Sequence, residues 1–206
     1  MRIIETDADV AEGAAWLAES DPRLAYALSH TGPLPLRRRP DGFAQLLSAI
    51  ISQQVSVASA AAIWKRMQGA GLTNEAAVLA AGEDGLRCAG LSRQKIAYSQ
   101  ALAEAQIDYQ ALRVADDVDV MTTLTAVKGI GIWTAEIYAM FSLGRVDVFA
   151  PGDLALQVAA QDLYGLAERP KEKELRQMSL AWTPYRSVAA RLLFAYYHIA
   201  KGREGI

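Results

Sequence analysis

The chain has one cysteine and two histidines among its 206 residues. A single cysteine, Cys88, cannot form an internal disulfide, and its presence alone suits a reducing compartment. An iron–sulfur cluster held by four cysteines is excluded for the same reason. His30 and His198 have no neighbouring His or Cys at metal-ligand spacing, which leaves them to structural roles. A basic excess is also missing: 21 Lys and Arg stand against 23 Asp and Glu, a formal net charge of −2. A domain that binds nucleic acid usually carries the opposite balance. Any polyanion must then be held by a local patch and by uncharged backbone N–H groups. No apolar run reaches membrane length, and MRIIETDADV has acids where a secretion signal needs a basic start. These absences predict a soluble, cytoplasmic protein with no membrane partner.

What is present is helical periodicity. Hydrophobic residues make up 52% of the chain, enough for a substantial core. No strand-like alternation persists and no internal repeat is visible. Helices are expected at Asp9–Ser20 and Asp21–Ser29, the second capped by Asp21 with Pro22 in its first turn. The segment Thr31–Gly42 carries three prolines and two glycines and reads as a linker wrapped onto the domain. Further helices are expected near 42–54, 57–68, 74–81, 84–89, 93–107, 119–125, 132–143, 154–163, 171–179 and 185–200, with Ser56, Asn74 and Ser92 as N-caps. The expected class is all-α, divided into a short helical segment and linker over 1–40 and a helical domain over 41–206.

Two short elements concentrate the chemistry. In VKGIGIWTAEI, from Val127 to Ile137, Gly129 and Gly131 permit φ > 0 and close approach of another polymer. They open a helix on which Ile132, Trp133, Ile137, Met140 and Phe141 recur at helical spacing. A helix N-terminus offers unpaired N–H groups and partial positive charge, an anion site that needs no basic side chain. Asp119 is expected to cap the preceding short helix, which makes a helix-turn-helix hairpin. The second element is Pro151, Gly152 and Asp153. Asp153 precedes the periodic run Leu154, Leu156, Val158, Ala159 and reads as its N-cap.

Together the hairpin and the Pro-Gly-Asp tripeptide resemble the helix-hairpin-helix (HhH-GPD) DNA glycosylases. Three other segments agree: AIISQQVSVASAA (49–62), AGLSRQKIAY (89–98) and WTPYRSVAARLL (182–193). The resemblance is strongest to the 3-methyladenine glycosylase II branch and runs from about residue 41 onward. It implies two helical subdomains flanking a cleft, with the hairpin at about 119–143 and without the N-terminal β domain of that branch. It also implies that Asp153 is the catalytic carboxylate. Trp133, Gln53, Ile137, Phe194 and Tyr197 fall at base-pocket positions. Lys128, Gly129, Ile130, Gly131, Thr134 and Arg186 fall at DNA-contact positions, and Gln54 at the position of the wedge that fills the gap left by a flipped base. No cofactor is implied, apart from a monovalent cation that members often hold through hairpin carbonyls, here Val127 and Ile130. The implied partner is duplex DNA containing damaged bases, bound by a monomer.

The residues carry an argument for the reaction. Breaking the bond between base and deoxyribose develops positive charge on the sugar, which a fixed carboxylate stabilises while orienting water. In members of the resembled family that also cut the backbone, a lysine stands at the position of Trp133 and forms a Schiff base with the sugar, which an indole cannot do. The resemblance therefore implies a monofunctional enzyme that releases alkylated purines such as 3-methyladenine and 7-methylguanine and leaves an abasic site. Alternatives are a glycosylase for an oxidised or mismatched base, a non-catalytic hairpin protein that binds DNA, and a helical scaffold. Candidate phosphate ligands are Arg37–Arg39, Lys65, Arg66, Arg93, Lys95, Lys128, Arg186 and Arg191.

Overall fold

The computed structural model describes residues 2–202, and among these every regular element is helical. In chain order the helices are α1 Asp7–Ser20, α2 Pro22–Thr31, α3 Phe43–Ser52, α4 Val57–Gly69, α5 Glu75–Cys88, α6 Arg93–Glu104, α7 Tyr109–Val114, α8 Asp117–Thr125, α9 Ile132–Phe141, α10 Leu154–Tyr164, α11 Glu172–Ser179 and α12 Arg186–Lys201. No helix among the described residues is long and apolar enough to cross a membrane.

Capping chemistry fixes most helix starts. Asp21, Ser56, Asn74, Ser92 and Asp153 each accept a backbone N–H in the first turn, as the sequence predicts. Four elements depart from expectation. α1 begins at Asp7, because Thr6 and Asp9 form a reciprocal capping box and Asp9 lies inside the helix. α8 begins at Asp117 with Asp116 as its cap; Asp119 donates its N–H to Asp116 and so is not the cap itself. α6 stops at Glu104, and the six-residue α7 follows, capped by Asp108. The predicted pair 74–81 and 84–89 is one element kinked at Gly82, whose φ of 60° breaks the helical path.

The chain forms two compact units, with a second division at residue 138 besides the one near residue 40. One unit joins residues 1–38 to 139–206; the other is the continuous stretch 39–138. The first 38 residues pack with the C-terminal third because their apolar faces meet it: α1 and α2 contact α12, and α2 contacts α10. Ile4, Leu17, Leu24 and Ala27 are buried there with Leu156, Val188 and Leu192. Ile3 forms an antiparallel bridge with Arg145, and the Ile4 N–H donates to the Gly144 carbonyl at 2.8 Å. The proline-rich linker is docked as expected, with Leu34 buried and the Leu36 carbonyl accepting from Arg191 Nε at 3.1 Å. In the second unit α3 packs on α4 and α6, and α5 packs on α6. Leu46, Leu47, Ile50, Ile51, Val78 and Leu86 lie in its core.

Candidate active site

The hairpin lies in the 39–138 unit. α8 ends in a turn in which the Ile130 N–H donates to the Val127 carbonyl at 3.0 Å. The Gly131 carbonyl then accepts from Ala135 at 3.1 Å, the first bond of α9. Val127 and Ile130 point inward and are buried, while Lys128 and Gly131 face solvent. The two glycines differ in what they do. Gly129 has φ of 100°, and a Cβ there would lie 2.7 Å from Tyr98 Cβ and against its ring. Gly131 is outside the left-handed region, contrary to expectation, and a Cβ there would meet nothing within 4 Å. Gly129 therefore shapes the turn against Tyr98, and Gly131 leaves the N-terminus of α9 unobstructed. Of the expected side-chain contacts in this stretch, Ile130 and Thr134 are buried at 4% and 5% exposure. Only their backbone groups can serve an external phosphate.

The segment after α3 adjoins this turn. Gln53 donates from Nε2 to the Gly129 carbonyl at 3.0 Å, so its amide braces the hairpin. The neighbouring Gln54 is exposed, with φ of 57°, an uncommon conformation for a side chain without a local hydrogen-bonding habit. Val55 and Val57 beside it are exposed apolar residues, which periodicity alone did not single out. Lys95 Nζ donates to the Ile51 carbonyl at the end of α3. Burial holds this ammonium below its ordinary pKa. On α9, Trp133 is 43% exposed and Ile137 half-buried, so the indole is accessible and not part of the core.

Asp153 belongs to the other unit. It is half-buried at the head of α10, where Oδ1 accepts from the Ala155 N–H at 2.9 Å and the Leu156 N–H at 3.3 Å. The Pro-Gly-Asp turn is closed by the Asp153 N–H to the Ala150 carbonyl at 3.0 Å. Gln157 Nε2 reaches back to the Pro151 carbonyl at 2.9 Å. A carboxylate that accepts two backbone N–H groups at a helix N-terminus is fixed in place. α12 packs on α10 and carries Phe194, buried at 9%, and the half-buried Tyr197. Phe194 contacts Phe141 with ring centroids 6.3 Å apart, and the Arg37 guanidinium lies 5.6 Å from its centroid.

The supposed phosphate ligands divide sharply. Arg186 pairs with Asp147 through Nε at 2.9 Å and Nη2 at 3.0 Å, so its guanidinium is engaged within the protein. Arg191 is fully buried, bonded to Leu36 and Ser187, with its pKa lowered to about 10 by burial and then by Arg37 and Arg38. Arg66 Nε donates to the Ala89 carbonyl at 2.8 Å and Lys95 is buried. Lys65, Arg93 and Lys128 remain at the surface of the 39–138 unit.

A sequence model of the HhH-GPD superfamily base excision DNA repair proteins matches residues 47–184. The crystal structure of a DNA-3-methyladenine glycosidase from Bacillus halodurans is 36% identical, with a TM-score of 0.82 over 100% of this chain and 97% of that one. The alkylbase DNA glycosidase-like protein mag2 of Schizosaccharomyces pombe is 25% identical over 200 residues, covering 91% of this chain and 94% of its own. DNA-3-methyladenine glycosylase 1 of the same organism is 28% identical over 190 residues, 86% of this chain and 82% of its own. With the hairpin and the capped carboxylate in place, and the family match spanning more than half of the sequence, the chain belongs to the HhH-GPD superfamily of base excision DNA repair proteins.

Proposed function

We propose that this protein is a monofunctional DNA glycosylase that flips alkylated purines, such as 3-methyladenine and 7-methylguanine, out of duplex DNA. It hydrolyses their N-glycosidic bond and leaves an abasic site. The observation that carries the reading is Asp153, a carboxylate fixed by two backbone N–H groups at the head of α10 within the Pro-Gly-Asp turn. Such a group meets the requirement of the reaction, a pre-placed negative charge for a sugar passing through an oxocarbenium-like state. Asp153 also serves to orient and deprotonate the attacking water. An alkylated purine is already cationic and leaves without a strong acid. Trp133, accessible on α9, offers its π-face to such a base, an attraction of about 0.5 to 2 kcal/mol. Its indole has no amine to form a Schiff base, which supports hydrolysis without strand cleavage.

DNA is held, on this reading, by the N-terminus of α9 across Gly131 and by Lys128. Gln54, exposed in its strained turn, occupies the space left by the flipped base. A monovalent cation at the Val127 and Ile130 carbonyls is compatible with the turn. The Val127 oxygen already accepts the Ile130 N–H at 3.0 Å, and a carbonyl has a second lone pair. Bound there, it would add positive charge beside the phosphates. One lesion needs one hairpin, and the protein acts as a monomer.

The test is release of free base from methylated duplex DNA by wild type and Asp153→Asn, with the product checked for strand breaks before alkali. Release by wild type alone, without breaks, is the expected result. Equal release by the variant would remove Asp153 from the chemistry, and direct breaks would remove the monofunctional reading.

A further inference from the structure

The segment 144–153 delivers Asp153 to the head of α10, and it is irregular along its length. Its anchors are specific. At its start the Gly144 carbonyl accepts from Ile4 at 2.8 Å. In its middle the Val146 carbonyl accepts from the Ser187 N–H at 3.0 Å, and the Asp147 carboxylate receives Arg186 Nε at 2.9 Å, Nη2 at 3.0 Å and the Arg186 backbone N–H at 3.4 Å. Phe149 then sets its ring edge-on to the buried Trp182, with centroids 5.2 Å apart.

The pair has an unusual place in the helix. Arg186 is the first residue of α12, where the macrodipole disfavours a cation, and Tyr185, at the N-cap, supplies no side-chain acceptor. Asp147 provides both missing functions from 39 residues away: the acceptor for an N-terminal N–H and the negative charge beside the dipole. The side chains are 27% and 24% exposed, so the pair is partly shielded from solvent. A bidentate guanidinium–carboxylate contact fixes orientation as well as distance. The same two residues therefore lock the register of the Asp153 segment against α12, the helix that carries Phe194 and Tyr197.

We propose that Asp147 and Arg186 are positioning residues for the reaction, holding Asp153 in its working place by clamping the segment 144–153 to the N-terminus of α12. This inference rests on the reading of Asp153 as the catalytic carboxylate. A pair that bound a phosphate, or that only added stability, would act differently in three respects: DNA affinity, rate at saturation, and the order of the Asp153 cap.

The experiment compares wild type with Arg186→Lys, which keeps the charge and loses the fork, and with Asp147→Asn, which keeps an acceptor and loses the charge. Three quantities are read on protein shown to be folded by circular dichroism: the single-turnover release rate at saturating methylated duplex, the Kd for an abasic duplex, and hydrogen exchange at the Ala155 and Leu156 amides. Displacement of a catalytic group by about 1 Å costs on the order of a hundredfold in rate. Both variants should therefore lose about ten- to a hundredfold in release rate, keep Kd within about twofold, and exchange the two amides about tenfold faster. Weaker DNA binding with the wild-type rate at saturation would return Arg186 to the phosphate contacts and overturn the proposal. Unchanged rate and exchange would overturn it as well. If wild type releases no base, the glycosylase reading fails and the exchange data still decide whether the clamp holds Asp153. Should one variant fail to fold, the other carries the comparison.

Discussion

Asp153 caps α10, and on the proposed reading it is also the catalytic carboxylate; a single substitution can separate the two duties. Asparagine caps a helix about as well as aspartate, so Asp153→Asn should leave α10 intact while removing the charge that faces the reacting sugar. The expected outcome is a loss of release rate on the order of a hundredfold or more, with the unfolding midpoint within a few degrees of wild type. Asp153→Ala would in addition cost about 1 kcal/mol of cap. A drop in stability for Asn as large as that for Ala would mean that the charge is mainly structural. The cap and the tripeptide were legible in the sequence because both depend on neighbours within three residues. The fates of the basic residues were not. Arg66, Lys95, Arg186 and Arg191 look like any exposed cation until their acceptors, on Ala89, Ile51, Asp147 and Leu36, are brought in from at least 23 positions away.

At the scale of the element, the hairpin uses its two glycines for different ends. Gly129→Ala sets a Cβ against Tyr98 at a φ of 100°, so it should destabilise the protein by more than 1 kcal/mol and loosen the turn that Gln53 braces. Gly131→Ala meets no protein atom within 4 Å and has no positive φ to strain. Its unfolding midpoint should match wild type while affinity for duplex DNA falls several-fold, since a methyl group would stand between the α9 N-terminus and a phosphate. Equal DNA binding by Gly131→Ala, measured by fluorescence anisotropy, would place the phosphate elsewhere. Sequence spacing found the hairpin and assigned both glycines the same role; the difference comes from Tyr98, which is 31 positions upstream and packs beneath only one of them. The six-residue α7 was missed because a single turn and a half is too short to display a helical period. A second element, the strap over residues 2–4, depends on charge. Arg2 binds Glu12 and Tyr185, and that contact holds the Glu12 carboxyl at about 2, well below the ordinary range. A depressed carboxylate pKa stabilises the fold above the unfolded value near 4.5 and loses that contribution as pH falls through about 2. Protection of the Ile4 amide, bonded to Gly144 and measured relative to the intrinsic exchange rate at each pH, should fall across that window ahead of the core amides. In Glu12→Gln it should already be low at neutral pH.

For the molecule as a whole, a net charge of −2 sets how DNA is held. With Lys95, Arg186 and Arg191 engaged inside the protein and Arg66 bonded to the Ala89 carbonyl, Lys65, Arg93 and Lys128 are the candidates left to displace counterions. The logarithm of affinity against the logarithm of salt should fall with a slope of about 2 to 3, as expected for two or three neutralised phosphates. A slope near that of a basic DNA-binding domain, about 6 or more, would require a positive face that these residues do not form. The two-unit architecture itself was invisible in composition. A unit boundary falls within the proline-rich stretch at 31–42, but which later helices the first 38 residues join depends on matching apolar faces more than a hundred positions apart.

That arrangement has a consequence for how the chain is made. A ribosome releases the stretch 39–138 as one continuous piece, so that unit has all its residues before synthesis ends. The other unit is assembled from the first and last parts of the message. Until α12 emerges, α1 and α2 have only each other and α10 to pack on, and the larger surface that buries Ile4, Leu17, Leu24 and Ala27 is missing. Ribosome-bound chains arrested before α12, but late enough for residue 138 to have cleared the exit tunnel, should therefore show protease resistance over 39–138 and rapid cleavage within α1 and α2, and a truncation before α12 should be an aggregating chain and not a smaller enzyme.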